Sequence, residues 1–187
     1  MITGSSMPTV VPVVPLVAER ADQFVKLNHL GEFIAINIYR AQLQLCRWTA
    51  PTLLPLLAEF LAHEQRHHGL FAVVLAERGI RPCRASAVFG VAGFLLGMVT
   101  ALFGRPGVMA CTAAVETVVL DHLCQQLAYL RQVGEWRAVA AIESIVSEEI
   151  EHRDAGARGG GDCLLYKVLH ALVAPSTACV IAIGMHL

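Results

Sequence analysis

Apolar residues recur at steps of three and four along most of the chain, the periodicity of an amphipathic α-helix. In the first such segment Phe24, Leu27, Leu30, Ile34 and Ile38 follow this spacing. Prolines near the starts of segments and glycines after their ends mark helix boundaries. Few charges and little alternation argue against a β-rich fold. The pattern predicts an all-α chain with helices over residues 17–47, 51–78, 85–104, 106–132, 135–157 and 162–184, the last interrupted by a proline.

A chain of 187 residues is long enough for one domain with a buried core. Residues 1 to 17 contain three prolines and few charges, so we expect a loose arm followed by a single helical domain over residues 18 to 187. No basic region leads into a long apolar stretch at the N-terminus, and we therefore expect no signal peptide.

Two Glu-x-x-His pairs, Glu64–His67 and Glu149–His152, are the main candidate chemistry. Glu32 stands 32 residues before the first pair and Glu116 stands 33 before the second, so the pattern repeats at about 85 residues. Residues three apart share one helix face, which lets each pair offer a carboxylate and an imidazole to one point. Two helices with one Glu each and two with Glu-x-x-His form the ligand set of a carboxylate-bridged dimetal four-helix bundle.

Other registers compete with this choice. His63 with His67, Glu64 with His68, and Glu148 with His152 are each one turn apart, and only the repeat favours the selected pairs. We expect His63 and His68 to be solvated neighbours. The simpler alternative is that both pairs lie on the surface and stabilise their helices by a few tenths of a kcal/mol.

Four further polar residues are candidates for support of the metal ligands rather than for ligation. They flank the predicted ligands in sequence, one turn before, two turns after or just beyond them. A nearby carboxylate commonly orients a metal-bound imidazole. The supporting candidates are His29, Tyr39, His122 and Asp154.

Composition then changes the picture of the surface. The chain is 56% hydrophobic and 16% charged, with a net charge of −1, which argues against nucleic-acid binding because that needs a basic patch. Residues 85–104 carry no charge and could span a bilayer by length. Spanning would, however, put the two ligand pairs on opposite sides of the membrane. We therefore expect a crossover helix that lies in the membrane interface or caps the bundle, with a second apolar helix over 162–184.

Six cysteines show no Cys-x-x-Cys pairing. They lie mostly in apolar runs, so we expect buried free thiols in a reducing compartment rather than a zinc site or a redox dithiol.

With these residues assembled, the chain resembles the demethoxyubiquinone hydroxylase family of ubiquinone biosynthesis over about residues 24 to 156. The segment NHLGEFIAINIYRAQ resembles the first motif of that family, with His29, Gly31 and Glu32 at its core. EQRHHGLF resembles the second motif, the glycine-bearing crossover followed by VMACTAAVE the third, and SEEIEHRDAG the fourth. Four motifs in order, with matching spacing, make the resemblance specific.

The resemblance implies a ferritin-like four-helix bundle with two additional apolar helices, and a di-iron monooxygenase that hydroxylates a polyprenyl benzoquinone or benzoquinol with O₂ and electrons from NADH. Manganese is the alternative metal. The positions that match the iron ligands of the family are Glu32, Glu64, His67, Glu116, Glu149 and His152. The partners implied are the membrane surface and a lipid-binding accessory protein, and the glycines of the crossover are compatible with a homodimer.

One residue departs from the resemblance. His122 is followed by Leu123, where family members carry tyrosine, and this loss affects electron delivery and quinone choice more than metal binding.

We expect a peripheral location on the cytoplasmic face of a bacterial inner membrane, with the matrix side of the mitochondrial inner membrane as the alternative. The rival functions are a ferritin-like ferroxidase or iron-binding protein, and a non-catalytic bundle that binds quinone or lipid.

Overall fold

The computed structural model describes residues 13–161 and 163–187, so most of the expected arm, residues 1 to 17, lies outside the described residues. Within them all regular secondary structure is helical and no strand is formed, as the sequence predicts. A 3₁₀ turn, Pro51–Leu53, precedes the second helix. The helices are α1 (Val13–Thr49), α2 (Leu54–Glu77), α3 (Ser86–Leu102), α4 (Gly104–Val133), α5 (Trp136–Gly160) and α6 (Leu164–Gly184).

The helix ends differ from the predictions by a few residues, and glycines explain where they fall. Gly134 closes α4 with a φ of 77° and Gly161 follows α5 with a φ of 65°, a conformation that glycine adopts without strain. Gly159 and Gly160 therefore belong to α5, and the third glycine of the run is the break. The prediction that Pro175 interrupts the last helix is wrong, because α6 continues through it.

The helices form two antiparallel hairpins that face each other. Helix α1 packs on α2, α4 packs on α5, and the hairpins meet through α1 with α4 and α2 with α5. The two apolar helices lie outside this bundle, with α3 along α1 and α6 along α4. The structure therefore has the predicted four-helix bundle with two additional helices, and α3 carries the chain from one hairpin to the other.

The apolar core is divided into two main clusters near opposite ends of the bundle. One contains Phe24, Phe71, Leu130 and Ile142 among its buried residues, and the other contains residues such as Leu57. Along each bundle helix, buried acidic or histidine side chains stand between the residues of the two clusters, and the six predicted metal ligands are among them. Burial of apolar surface at both ends fixes the four helices, and this fixes the polar side chains between them.

Glycines allow α3 to lie directly on the backbone of α1. A Cβ atom at Gly93 would be 2.8 Å from the carbonyl oxygen of Ile34, and one at Gly97 would be 2.4 Å from that of Ile38. Both distances are too short for a real contact, so side chains at these positions would push α3 outward. The crossover glycines that the sequence singles out thus serve packing within the chain.

Gly97→Ala is expected to destabilise the fold by about 1–3 kcal/mol, the usual effect of overpacking a tight contact. Gly69→Ala is the matched control, because Gly69 lies inside α2 and a Cβ atom there would meet nothing within 4 Å. That substitution should be neutral or stabilising by up to about 1 kcal/mol, since alanine favours the helix. Thermal unfolding of the variants measures both effects, and equal midpoints would contradict the close α1–α3 contact.

The outer faces of α3 and α6 are strongly apolar. Among the described residues, α4 and α6 are long and apolar enough to cross a membrane. Of the most apolar 18-residue stretch of each helix, 61% is buried in the protein in α4 but only 6% in α6. Helix α3 is shorter. Its exposed side chains include Val88, Val91, Leu95, Val99 and Leu102, and those of α6 include Leu164, Val168, Leu172 and Ile183.

All six cysteines are free in the structure. Cys46, Cys83 and Cys111 are buried, as expected, whereas Cys124, Cys163 and Cys179 are exposed. The prediction of burial is wrong for these three, because Cys124 lies on an exposed face of α4, Cys163 precedes α6, and Cys179 lies on an exposed face of α6.

Candidate metal centre

Four helices of the bundle bring the predicted ligands together between the two apolar clusters. Helices α1 and α4 contribute one glutamate each, and α2 and α5 contribute one Glu-x-x-His pair each. All of these side chains are at most 7% exposed, which is costly for carboxylates unless they are paired, protonated or metal-bound. The residues are Glu32, Glu64, His67, Glu116, Glu149 and His152.

The six side chains form two groups that share two members. Glu32, Glu64, His67 and Glu149 can offer donor atoms that all lie within 4.8 Å of one another. Glu64, Glu116, Glu149 and His152 do the same. Glu64 and Glu149 belong to both groups, so the geometry fits two metal ions with these glutamates as bridging candidates.

Each histidine turns its Nδ1 atom towards the glutamate of the opposite pair. His67 Nδ1 lies 2.9 Å from Glu149 Oε1, and His152 Nδ1 lies 3.1 Å from Glu64 Oε1. Within the described chain neither nitrogen has a hydrogen-bond partner, and nor does Glu64 Oε1. Buried polar atoms without partners are rare in native proteins. Three such atoms in one cluster fit a site built to bind metal ions.

The outward-facing nitrogens of the same histidines are both engaged. His67 Nε2 lies 2.6 Å from Glu148 Oε2, and Glu148 Oε1 accepts a hydrogen bond of 2.6 Å from Arg66 Nη2. His152 Nε2 lies 3.1 Å from Nδ1 of His63. The sequence does not predict these contacts, because each joins α2 to α5. His63 is half-buried and stacks on His152, so its prediction as a solvated neighbour is wrong.

Asp154 does not reach either imidazole. Its Oδ1 atom accepts hydrogen bonds from Nε and Nη2 of Arg153 at 2.9 and 2.7 Å, and the side chain is 40% exposed. The carboxylate that contacts a candidate ligand from outside is Glu148, on the preceding turn of α5. The expectation for Asp154 fails because that residue lies on another face of the helix.

The other three supporting candidates occupy different places. The hydroxyl of Tyr39 donates a hydrogen bond of 3.3 Å to Glu116 Oε1 and is 2% exposed. His29 is buried and its ring contacts that of the half-buried His68 at a tilt of 34°, with centroids 4.0 Å apart. His122 contacts Phe24 edge-to-face and belongs to neither donor group. Of the three, only Tyr39 touches a predicted ligand.

The protonation of the cluster follows from burial and crowding. Burial raises the pKa of Glu32 above its usual range, and it raises the pKa values of Glu64 and Glu116 well above theirs, with nearby carboxylates adding to the effect. Burial lowers the pKa of His67, but contacts with Glu149 and Glu32 outweigh it and bring it to about 10. Burial lowers the pKa of His152 to about 4. Without metal, the cluster is therefore destabilising at neutral pH.

Glu64→Gln is expected to stabilise the metal-free protein at pH 7, because burial and the neighbouring carboxylates raise the pKa of Glu64 and make its ionised form costly in the folded state. A carboxyl whose pKa is raised by folding binds more protons folded than unfolded. Stability is therefore highest below the unfolded pKa and falls as pH rises through the window above it. The gain should shrink towards pH 4. Glu59→Gln, at an exposed position of α2, is the control. Urea unfolding of chelator-treated protein at both pH values measures the effect, and a loss of stability at pH 7 would contradict it.

An apolar cavity of about 280 Å³ adjoins the cluster. It lies among α1, α3, α4 and α6, and its lining includes all four glutamates of the cluster but neither of the two histidines. Leu96 of α3 and Val180 of α6 lie in its wall, as do His122 and Leu123 of α4. The four glutamates thus line an apolar cavity, whereas His67 and His152 do not.

Comparison with known proteins places this arrangement in a family. Residues 19–185 match the family model described as ubiquinone biosynthesis protein COQ7. The chain is 35% identical over 159 residues to a Dictyostelium discoideum protein named NADPH-dependent 3-demethoxyubiquinone 3-hydroxylase, mitochondrial, with 83% of this chain and 72% of that protein covered.

Two further relatives agree. A Rhodospirillum rubrum protein named 3-demethoxyubiquinol 3-hydroxylase is 35% identical over 146 residues, covering 78% of this chain and 68% of that protein. A Saccharomyces cerevisiae protein named 5-demethoxyubiquinone hydroxylase, mitochondrial, is 31% identical over 147 residues, covering 71% and 63%. The helical bundle, the buried cluster and these similarities agree, and the chain belongs to the COQ7 family of ubiquinone biosynthesis proteins.

Proposed function

We propose that this protein is a monooxygenase that hydroxylates the ring of a polyprenyl benzoquinone or benzoquinol, the demethoxyubiquinone hydroxylase step of ubiquinone biosynthesis. The names of its relatives support this reaction. The observation that carries the proposal is the apolar cavity lined by all four buried glutamates. An apolar substrate can reach the candidate metal centre through such a cavity without exposing the centre to bulk water.

In this proposal the two groups of donors bind two iron ions. Carboxylates and imidazoles suit iron, and also manganese, better than they suit metals that prefer thiolates. When bound, the ions would supply the redox chemistry that reduces O₂ and transfers one oxygen atom to the ring. Glu64 and Glu149 belong to both donor groups and would help to hold both ions, whereas Glu32 and Glu116 would each help to hold one. Burial of these side chains excludes water from the reaction.

The cavity suits a ring with an apolar tail. Its volume of about 280 Å³ is close to the lower end for small-molecule sites. We propose that it holds the quinone ring and the first part of the tail, and that the rest of the tail leaves between α3 and α6. Leu123 of α4 lines the cavity beside His122. A leucine there offers the ring an apolar contact in place of the phenol of family members.

The outer faces of α3 and α6 are proposed to lie in a membrane surface. Their exposed valines, leucines and isoleucine flank the cavity helices, and an apolar surface of this kind commonly marks a membrane contact. A prenyl tail could then stay in the bilayer while the ring enters the bundle. We propose the cytoplasmic face of a bacterial inner membrane, with the matrix face of the mitochondrial inner membrane as the alternative, since the relatives include a bacterial protein and one named mitochondrial.

Electrons are proposed to come from a reduced nicotinamide nucleotide. The Dictyostelium relative is named NADPH-dependent, so its name supports NADPH, whereas the sequence resemblance implies NADH. A lipid-binding accessory protein belongs to the proposal through the resemblance alone. A homodimer was expected from the crossover glycines, of which Gly93 and Gly97 pack on α1 of the same chain. The rival functions fit less well, because a soluble ferroxidase would have polar outer helices and a non-catalytic lipid binder would not need the complete donor cluster.

The proposal is tested with purified, iron-loaded protein and a short-tailed demethoxyubiquinone in detergent or lipid. With O₂ and either NADPH or NADH, mass spectrometry should show a product heavier by one oxygen atom, and ¹⁸O₂ should label it. Protein treated with chelator before the assay should give no product. Consumption of O₂ with iron oxidation but without labelled quinone would contradict the hydroxylase and favour the ferroxidase.

A further inference from the structure

The two donor groups contain the same kinds of donor residue but differ in the residues that contact their histidines from outside the cluster. Each contains three glutamates and one histidine, and two of the glutamates are common to both. The histidines differ in what they contact through Nε2. That of His67 lies 2.6 Å from a carboxylate oxygen of Glu148, whereas that of His152 lies 3.1 Å from an imidazole nitrogen of His63. Because the donor residues are of the same kinds, a difference in affinity between the two metal positions must come from these contacts and from other residues that contact the donors.

The chemistry of the contacts sets the direction of the difference. A metal on Nδ1 leaves the imidazole proton on Nε2, so both histidines donate outward. A carboxylate acceptor makes such a bond charge-assisted and increases the basicity of the imidazole. Glu148 is held in place by its 2.6 Å bond from Arg66. The acceptor for His152 is an uncharged nitrogen lone pair of His63, which polarises that imidazole less.

A third contact acts in the same direction. The hydroxyl of Tyr39 donates to Glu116 Oε1 at 3.3 Å, and Glu116 belongs only to the group of His152. A hydrogen bond to a carboxylate withdraws electron density and weakens that oxygen as a donor. Glu32, its counterpart in the other group, interacts with His67 and Glu64 of the cluster itself, and no tyrosine hydroxyl is found bonded to it among the described residues. The His67 group is therefore the stronger site on two independent counts.

We propose that Glu148 and His63 are positioning residues that make the two metal positions unequal. A divalent ion with a preference for oxygen and nitrogen donors binds first in the group of Glu32 and His67, and the second ion follows in the group of Glu116 and His152. This inference rests on the proposed dimetal centre. It assigns roles to two residues that lie outside the ligand set and that sequence spacing does not distinguish.

The location of these residues makes the inference testable without disturbing the cavity. Glu148 and Arg66 have side chains that are 28% and 56% exposed, and none of Glu148, Arg66 and His63 lines the cavity. Substitutions there change the support of the histidines while leaving the substrate side of the cluster intact.

The experiment is a titration of the metal-free protein with Mn²⁺. Binding is monitored by calorimetry and by electron paramagnetic resonance. An isolated Mn²⁺ ion and a coupled pair give different spectra, so the two binding steps are read separately and without an activity assay. The wild type should show mainly the isolated ion at one equivalent and the coupled pair at two. Glu148→Gln should weaken the first step by about 10-fold and Glu148→Ala by up to about 100-fold, the range known for outer partners of metal-bound histidines.

Two controls separate positioning from general damage. His63→Ala should weaken the second step more than the first, since His63 Nδ1 lies 3.1 Å from His152 Nε2 but 3.8 Å from Glu148 Oε2. Glu151→Gln changes an exposed glutamate between the two ligands of α5 and should alter neither step. Circular dichroism and the unfolding midpoint of each metal-free variant report folding. If one Glu148 variant fails to fold, the other Glu148 variant and the weaker second step in His63→Ala still test the proposed roles.

The failures are distinguishable. Simultaneous binding of two ions by the wild type, with no isolated ion at one equivalent, would overturn the inequality of the positions. Wild-type constants in both Glu148→Gln and His63→Ala would overturn the roles of these residues, although the dimetal centre would stand. No stoichiometric binding in the wild type would overturn the dimetal centre itself, and the inference with it.

Discussion

Glu116→Ala is expected to abolish quinone hydroxylation and to remove one of the two metal ions. Glu116 is 3% exposed and lies in one donor group only, so its loss leaves the other group with all of its donors. We expect the iron content to fall from about two towards one per chain. The loss of activity should exceed the roughly 10- to 100-fold loss caused by removing an outer partner, because a donor atom itself disappears.

Asp121→Ala is the matched control, since Asp121 is an exposed acidic residue on the same helix. Metal content is measured by native mass spectrometry after anaerobic loading, and activity by product mass. The metal-free Glu116→Ala protein should remain folded, because the substitution removes a buried carboxyl whose pKa is raised by burial and by Glu149. Full activity with two bound ions would show that Glu116 is not a ligand.

Ala92→Trp is expected to reduce kcat/KM for the quinone by about 100-fold or more, while both metal ions stay bound. Ala92 lines the cavity from α3 and is itself exposed, so a larger side chain can enter the cavity mouth without disrupting the core. An indole there would compete with the ring for a cavity of about 280 Å³. Misplacement of a substrate by about 1 Å can already lower a rate by about 100-fold.

Val91→Trp provides the control for this prediction. Val91 is the preceding residue of α3, is 61% exposed and does not line the cavity. The same indole at this position should leave kcat/KM within a few-fold of the wild type when the enzyme is assayed in vesicles. Equal effects of the two substitutions would indicate disturbance of α3 as a whole. Wild-type kinetics in Ala92→Trp would show that the substrate does not use this cavity.

The bundle and its ligand candidates could be predicted because both follow from local rules. Helical periodicity identifies the helices, and the spacing of Glu64–His67 and Glu149–His152 fixes which side chains share a helix face. The repeat of a lone glutamate before each pair then indicates how four helices converge. The structure brings all six residues into two overlapping groups, as that pattern predicts.

The outer support of the histidines could not be predicted in the same way. Glu148 reaches His67 and His63 reaches His152 only because α2 faces α5 at a particular height and rotation. Sequence spacing carries no information about such a contact. The prediction that Asp154 orients a histidine ligand relied on proximity along the chain, whereas in the structure Asp154 pairs with Arg153. Residues that support a site across helices become visible only after the helices are packed.

The cavity and the exposed cysteines show a second limit. An uncharged run predicts an apolar helix, but not which of its faces packs on the bundle. In α6 most of the apolar window is unburied, whereas α4, of similar hydropathy, is mostly core. Residues of α3 and α6 line the cavity together with α1 and α4, and Cys179 of α6 is exposed.

The most direct test of the central claim is the iron content of the wild-type protein after anaerobic loading with ferrous iron and removal of unbound metal. The donor groups predict about two iron ions per chain, bound tightly enough to survive desalting and released by a strong chelator. A Mössbauer spectrum of the oxidised sample should show coupled ferric ions. Absence of stoichiometric iron, or one iron with no coupling, would contradict a dimetal centre formed by the four glutamates and two histidines.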